Sequence, residues 1–401
     1  MKKLLAFALA FALALGTAVP AFAVSTAADA ALPATISAGA GHCAVVMADG
    51  SLWMWGDNSY GQLGNGTTAR ETKPVKVLDG VTSVSCGQWI TAAVKEDGSL
   101  WEWGRWEYEN HLTPVKRAAD VSAAAYASDA SRAYIKEDGS LWWWGSYVKA
   151  KGSGVSSQKE PLKVADNVAC CSINDHTFGL RQGAFVKKDG SLWLWGASWH
   201  YSEISAVSGR EDVFMTPVKV MDGVSSVSTR GTVAAVKKDG SLWMSGGNDY
   251  GQIGNGTLDD APVPVKVMDD VVSACSGGTI TAAIKKDGSL WMWGSANLLG
   301  NGGKGTVDIN ESPREDEHVW IQPTPVKIMD NVSQVSIGDN FVLALKNDGT
   351  VWTWGRNGYG RLGNGSSGTE MQLTPVKIAS GALVPEAAPV KEEPSAWAKE
   401  L

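Results

Sequence analysis

Eight side chains outside any regular pattern carry the chemistry this sequence offers to a ligand: Trp106, Tyr108, Trp199, His200, Tyr201, Glu315, His318 and Trp320. Their flat apolar rings could stack on a sugar face or anchor a protein partner, with the carboxylate and the imidazoles adding hydrogen bonds. Support for covalent chemistry is missing. The five His are His42, His111, His176, His200 and His318. None stands at metal-ligand spacing from another, and the sequence contains no H-E-x-x-H, G-x-S-x-G, Walker or EF-hand motif. The acidic run 315–317 could hold Ca²⁺ but reads as a solvated charge run. No carboxylate pair of the kind glycosidases use can be nominated. The expectation is a chain with no catalytic residue, no cofactor and no metal.

These side chains lie between copies of a repeat that must position them. The chain has 401 residues, with 46 Gly and 19 Trp against 7 Phe and 8 Tyr. Such an excess of indole points to a short motif copied many times. The motif is Asp-Gly-Ser-Leu-Trp-x-Trp-Gly, beginning at Asp49, Asp97, Asp138, Asp189, Asp239, Asp287 and Asp348. Its structural residues are Trp53, Trp55 and Gly56; Trp101, Trp103 and Gly104; Trp142, Trp144 and Gly145; Trp193, Trp195 and Gly196; Trp243 and Gly246; Trp291, Trp293 and Gly294; and Trp352, Trp354 and Gly355. The fifth copy has Ser245 for its second Trp, and the seventh reads Thr350-Val351 for Ser-Leu. The Asp-Gly pair predicts a type I′ hairpin between two apolar strands. The two Trp, two residues apart, project from one face of the second strand.

A Pro-Val-Lys strand recurs at Pro74, Pro114, Pro217, Pro264, Pro325 and Pro375, with Pro-Leu-Lys at Pro161. Its distance to the next anchor is nearly constant, which groups it with the anchor that follows. Four antiparallel strands per repeat, seven times, predict an all-β, seven-bladed β-propeller. In that grouping the last Pro-Val-Lys strand completes the blade begun by residues 36–56, so the C-terminal strand closes the ring. Tyr60, Tyr250 and Tyr359 belong to the repeat pattern and read as internal packing, while Tyr147 is an aromatic near the same place.

The segment G-D-N-S-Y-G-Q-L-G-N-G at Gly56, with copies at Gly246 and Gly355, joins DGSLWxWG in a pattern that resembles the regulator-of-chromosome-condensation repeat family. The resemblance covers nearly all of residues 36–384 and implies a seven-bladed propeller. Copies two, three and four lack this segment, and only His42 fills the His that the pattern often carries before the anchor. The family's best-known member exchanges guanine nucleotide on a small nuclear GTPase; similar exported propellers act as binding proteins, including an inhibitor of β-lactamase.

Met1-Lys2-Lys3, the apolar run 4–15 and Ala21-Phe22-Ala23 read as a secretory signal peptide cleaved after Ala23. Residues 1–23 are thus expected to be the signal peptide, 24–35 a linker, 36–384 the propeller, and 385–401 a Pro/Glu-rich linker with the start of a helical tail. The net charge of −7 lacks a basic footprint, which argues against nucleic acid as a partner. No later stretch is long and apolar enough for a membrane span. Five Cys, an odd number, are read as mostly reduced and buried, with a vicinal Cys170–Cys171 disulfide left open.

The connection from each Trp-Gly to the next Pro varies from 9 to 30 residues, while the rest of the repeat is nearly constant. Variation gathered on one face marks the candidate binding face. The expected function is an exported, monomeric, non-catalytic module that binds a protein or glycan at the bacterial cell surface. The alternatives are a secreted inhibitor of an extracellular enzyme and, after it, a glycan-active enzyme.

Overall fold

The computed structural model describes residues 35–106, 109–128, 131–148, 155–175, 181–196, 217–309 and 319–378. The predicted signal peptide, most of the predicted 24–35 linker and the predicted 385–401 tail lie outside the described residues. Seven antiparallel sheets follow one another along the chain, over 35–78, 81–118, 121–165, 168–221, 224–268, 271–329 and 332–377. The first strands of successive sheets touch in a closed cycle, Thr35–Ala38 meeting both Val81–Cys86 and Val332–Gly338. The molecule is a seven-bladed β-propeller, as the repeat predicts. The sixth blade carries a fifth, two-residue strand, Val307–Asp308, along the outer strand Trp320–Met329.

The phase of the repeat differs from the sequence expectation. Each Pro-Val-Lys strand is the outer strand of the blade whose anchor precedes it. Its Lys pairs directly with the first Trp of that anchor: Trp53↔Lys76, Trp101↔Lys116, Trp142↔Lys163, Trp193↔Lys219, Trp243↔Lys266, Trp291↔Lys327 and Trp352↔Lys377. Met371–Lys377 therefore completes the seventh blade, and both chain ends do not share one. The reason is connection length: a strand that follows its anchor by one loop pairs most simply as a hairpin.

The Asp-Gly turns are also of another type. Gly50 has φ +78 while Asp49 keeps an ordinary negative φ, and Gly50 N–H donates to Met47 O. This is a type I turn followed by a Gly in the left-handed region. Asp49 is held there by its own chemistry. Its Oδ1 accepts from Ser51 N and Ser51 Oγ, and Ser51 Oγ accepts from Trp53 Nε1. The same relay occurs in all seven copies, with Ser/Thr Oγ–Asp Oδ1 distances of 2.5–2.7 Å and Trp Nε1–Oγ distances of 2.8–3.0 Å. These side-chain bonds, with those to the Ser/Thr backbone N–H, hold the carboxyl of every anchor Asp below the usual range. The first Trp of each copy is half-buried, and in six copies a Lys ammonium lies over it at 4.6–5.7 Å.

The ring closes through side chains. Ser336 Oγ accepts the backbone N–H of Ala38, linking the inner strands of the last and first blades. The same bond recurs around the ring, from Ser37 to Cys86, Ser85 to Tyr126, Ser172 to Thr229 and Ser228 to Ser276. Phe341, Leu343 and Leu345 of the seventh blade pack with Ile36, Cys43 and Val45 of the first in one apolar cluster.

All five Cys are buried and free of disulfides. Cys170 and Cys171 are consecutive in a paired strand, so their side chains leave on opposite faces and join different apolar clusters. That geometry forbids the vicinal disulfide.

Candidate binding face

Alternation of strand direction sorts the connections onto two faces. The Asp-Gly turns and the links from outer strand to next inner strand emerge on one, here the turn face. The inner hairpins and the long Trp-Gly to Pro connections emerge on the other, the loop face.

On the loop face four connections grip the next blade in the same way. The second Trp of one blade donates Nε1–H to a carbonyl in the loop of the blade before it. The pairs are Trp55 to Arg361 (3.0 Å), Trp103 to Gln62 (2.9 Å), Trp293 to Gln252 (2.9 Å) and Trp354 to Leu298 (2.8 Å). Each indole is fully buried. A Gly two residues beyond the bonded carbonyl lies flat on it: a Cβ at Gly64 would stand 2.7 Å from Trp103 Cδ1. A second Gly two residues later donates its N–H to the outer strand of the gripped blade.

At the junction of the second and third blades, where the sequence lacks this loop, a buried charged cluster takes its place. Glu102 occupies the x of Trp-x-Trp, where other copies have residues such as Met54, Leu194 and Met292. Its side chain is fully buried; it meets Arg117 Nε at 3.0 Å and Arg132 Nη1 at 3.3 Å, and accepts from Tyr126 Oη at 3.1 Å. Arg132 in turn lies over Trp144. Sequence reasoning missed Glu102, although a carboxylate at a position patterned to be buried is a readable signal.

Of the eight side chains proposed for binding, Tyr108, Trp199, His200, Tyr201, Glu315 and His318 lie outside the described residues, as does the acidic run 315–317. Trp106 is buried, stacked on His111 with centroids 3.5 Å apart and planes at 5°, and Arg117 lies over it. Its indole is packed inside the blade and is not presented to a partner, because the third and outer strands of the second blade run on to pair Trp106 with Glu109. Trp320 is 42% exposed, at the start of the sixth blade's outer strand. Tyr250 and Tyr359, read as internal, are exposed on the same face, and Tyr60 stays partly buried.

The face holds two arrangements that the sequence did not suggest. Arg105 lies over the packed pair Tyr60 and Trp89, 4.9 and 5.4 Å from the ring centroids. Arg230, in the inner hairpin of the fifth blade, reaches the seventh, pairing with Asp339 and donating to Ile337 O. Arg361 donates to Asp339 O and Ala40 O, tying the seventh blade to the first.

His42 is fully buried. Its Nε2 lies 2.9 Å from Thr91 Oγ1, which donates to Gln62 O, so the imidazole carries its proton on Nε2. Burial keeps this ring neutral and pulls its pKa down to about 4. It is structural. Among the described residues no group of three or more His, Cys, Asp and Glu is placed to hold a metal ion. No helix among them is long and apolar enough to cross a membrane.

Comparison with known proteins agrees with this architecture. The profile of the regulator of chromosome condensation (RCC1) repeat matches residues 49–94, 239–284 and 348–385, and a second profile of the same repeat matches 34–62 and 332–361. The chain is similar to the Ultraviolet-B receptor UVR8 of Arabidopsis thaliana, at 28% identity over 177 residues, 42% of this chain and 36% of the receptor. It is similar to the E3 ubiquitin-protein ligase HERC2 of Homo sapiens at 46% identity over 56 residues, 13% of this chain and 1% of the ligase. The matches thus span well under two thirds of either relative. Among solved structures, Prp20p of Saccharomyces cerevisiae, described with its binding to Gsp1p and histones, superposes with a TM-score of 0.68 at 19% identity, covering 88% of each chain. Human WBSCR16 superposes at 0.65 and 19% identity, over 82% of this chain and 93% of that one. At these identities the superpositions speak for the fold. The repeat profiles and the anchors give this chain repeats of the regulator of chromosome condensation (RCC1) family.

Proposed function

We propose that this chain is an exported, non-catalytic binding module that presents its loop face to a protein partner at the cell surface. The observation that carries this reading is the inequality of the two faces. The turn face repeats one hydrogen-bonded Asp-Gly turn seven times. The loop face shares one gripping segment among four blades and varies in the rest, with connections of 9 to 30 residues, and exposes Tyr250, Trp320 and Tyr359. Exposed aromatics on a rigid ring are the usual centre of protein recognition. Export rests on the reading of residues 1–23, and a protein partner agrees with the propeller named for binding Gsp1p and histones. The 30-residue connection of the sixth blade keeps a second reading in view, a secreted inhibitor that inserts this loop into an enzyme's cleft.

The test is recovery of partners from cell-surface extracts by the intact protein and by Trp320→Ala combined with Tyr250→Ala. The proposal expects recovery of at least one specific protein to fall ~10-fold or more. Equal recovery of every protein would remove these side chains from the site. Release of reducing ends from cell-wall polysaccharide by the purified chain would replace the binding module with an enzyme.

A further inference from the structure

Asn65-Gly66, Asn255-Gly256, Asn301-Gly302 and Asn364-Gly365 recur at one point of the four gripping loops. The Gly N–H of each donates to a carbonyl on the outer strand of the next blade: Gly66 to Leu112 (2.9 Å), Gly256 to Pro323 (3.0 Å), Gly302 to Leu373 (3.0 Å) and Gly365 to Thr72 (2.8 Å). The Asn side chains are engaged as well. Oδ1 of Asn65 accepts from Thr67 N and Oγ1, Oδ1 of Asn255 from Thr257 N and Oγ1, Oδ1 of Asn364 from Ser366 N and Oγ, and Oδ1 of Asn301 from Lys304 N. Donors on Oδ1 draw electron density from Cγ and leave it a better electrophile. The nucleophile that would attack it is the amide nitrogen of the following Gly, and that nitrogen keeps its proton in the bond between blades.

From this pairing we propose that Asn65, Asn255, Asn301 and Asn364 are latent deamidation sites, each kept shut by one blade junction and released when that junction opens. The step needs no reagent but water. Once Gly N–H leaves its carbonyl partner it gives its proton to solvent, and the nitrogen attacks Asn Cγ. A C–N bond forms, the Cγ–Nδ2 bond breaks, and ammonia departs with a proton from solvent. The resulting five-membered imide is opened by water at either carbonyl, to Asp or to the isomer whose main chain runs through Cβ and Cγ. A Gly on the C-terminal side offers no Cβ to hinder ring formation. The isomer inserts an extra main-chain atom before the Gly nitrogen, and both products place a carboxylate at the junction. In the isomer the Gly N–H no longer reaches the opposing strand, so an opening of the ring is recorded and the junction does not reclose.

Protection of this kind follows local opening and not the average fold. Purified protein is held at mildly alkaline pH, native and in urea, and the conversion at each Asn is read by peptide mass mapping. In urea all four steps convert; in the native chain each is expected to be ~100-fold slower. Trp103→Phe keeps the ring but removes one of the two donors to Gln62 O, the other being Thr91 Oγ1. It is expected to raise conversion at Asn65 by ~5-fold and to leave Asn255, Asn301 and Asn364 as internal controls of folding. Native rates equal to those in urea would overturn the proposal. So would a variant in which all four steps speed up together, or one in which Asn65 converts no faster than in the unaltered chain.

Discussion

The indole Nε1 of Trp55 donates to the carbonyl oxygen of Arg361 at 3.0 Å, although 306 residues separate the two. Trp55 belongs to the first blade and Arg361 to the loop of the last, so this bond is one of those that make the chain a ring. Trp55→Ala is expected to lower stability by about 3–5 kcal/mol, through lost burial and the cavity left at the junction. Trp55→Phe keeps most of the volume and leaves the Arg361 carbonyl only the weak Cys43 thiol donor, a loss of about 1 kcal/mol. Urea unfolding midpoints measure both. A Trp55→Phe protein as stable as the parent would mean that the hydrogen bond contributes nothing to closure.

Glu102 offers a second test because it is a charge with no route to water. Glu102→Ala leaves Arg132, itself buried, without its carboxylate, and is expected to cost about 3–5 kcal/mol. Glu102→Met with Arg132→Leu restores the residue that the first, fifth and sixth blades carry at this position, Met54, Met244 and Met292. The double variant should recover most of the loss. If it is no more stable than Glu102→Ala, the cluster is more than a substitute for the missing loop.

Acid stability should show two separate windows. His42 is neutral in the folded protein with its pKa at about 4, against 6.5 when exposed. The unfolded chain therefore binds the extra proton first, and stability falls as pH drops from about 6.5 to about 4, by about 3 kcal/mol in total. His42→Gln should flatten the pH dependence in that window. The anchor aspartates act lower down. Their folded pKa values lie below 3.8, so their contribution is present above that value and is lost as pH falls beneath it. Asp239→Asn should leave the upper window untouched and change only the lower limb of the acid unfolding curve.

Two glycines separate backbone strain from contact. Gly64 and Gly302 have φ +71 and +84, but a Cβ at Gly64 meets Trp103 at 2.7 Å whereas one at Gly302 meets nothing within 4 Å. Gly302→Ala is expected to cost about 1 kcal/mol, from the left-handed backbone alone. Gly64→Ala adds overpacking against a buried indole, for a total of about 3 kcal/mol. Thermal melts that rank the two the other way round would contradict the grip drawn between loop and indole.

The blades were legible in the sequence because Asp-Gly-Ser-Leu-Trp-x-Trp writes a turn, a relay and two indoles into seven residues. The phase of the repeat was not. A Pro-Val-Lys strand sits between two anchors, and only the pairing of Trp53 with Lys76 tells which one owns it. Regular spacing to the next anchor favoured the wrong owner, and with it a strand-shared closure. The site was less legible still. Trp106 falls outside the repeat just as Trp320 does, yet one is buried against His111 and the other exposed. What separates them is how far each blade's outer hairpin extends, and that depends on pairing across the strands. Tyr250 shows the converse: a residue of the repeat pattern stays exposed where its counterpart Tyr60 packs against Trp89.

The claim that one face binds can be tested by covering each face in turn. All five native Cys are buried, and burial raises every one of their thiol pKa values, so an introduced surface thiol reacts alone. Ser367→Cys places the thiol on the loop face and Lys238→Cys on the turn face, both at exposed positions. Each protein is fixed to a bead through that thiol and exposed to the same surface extract. Partners should be recovered when the turn face is tethered and lost when the loop face is. Recovery through the loop-face tether, with loss through the turn-face tether, would contradict it.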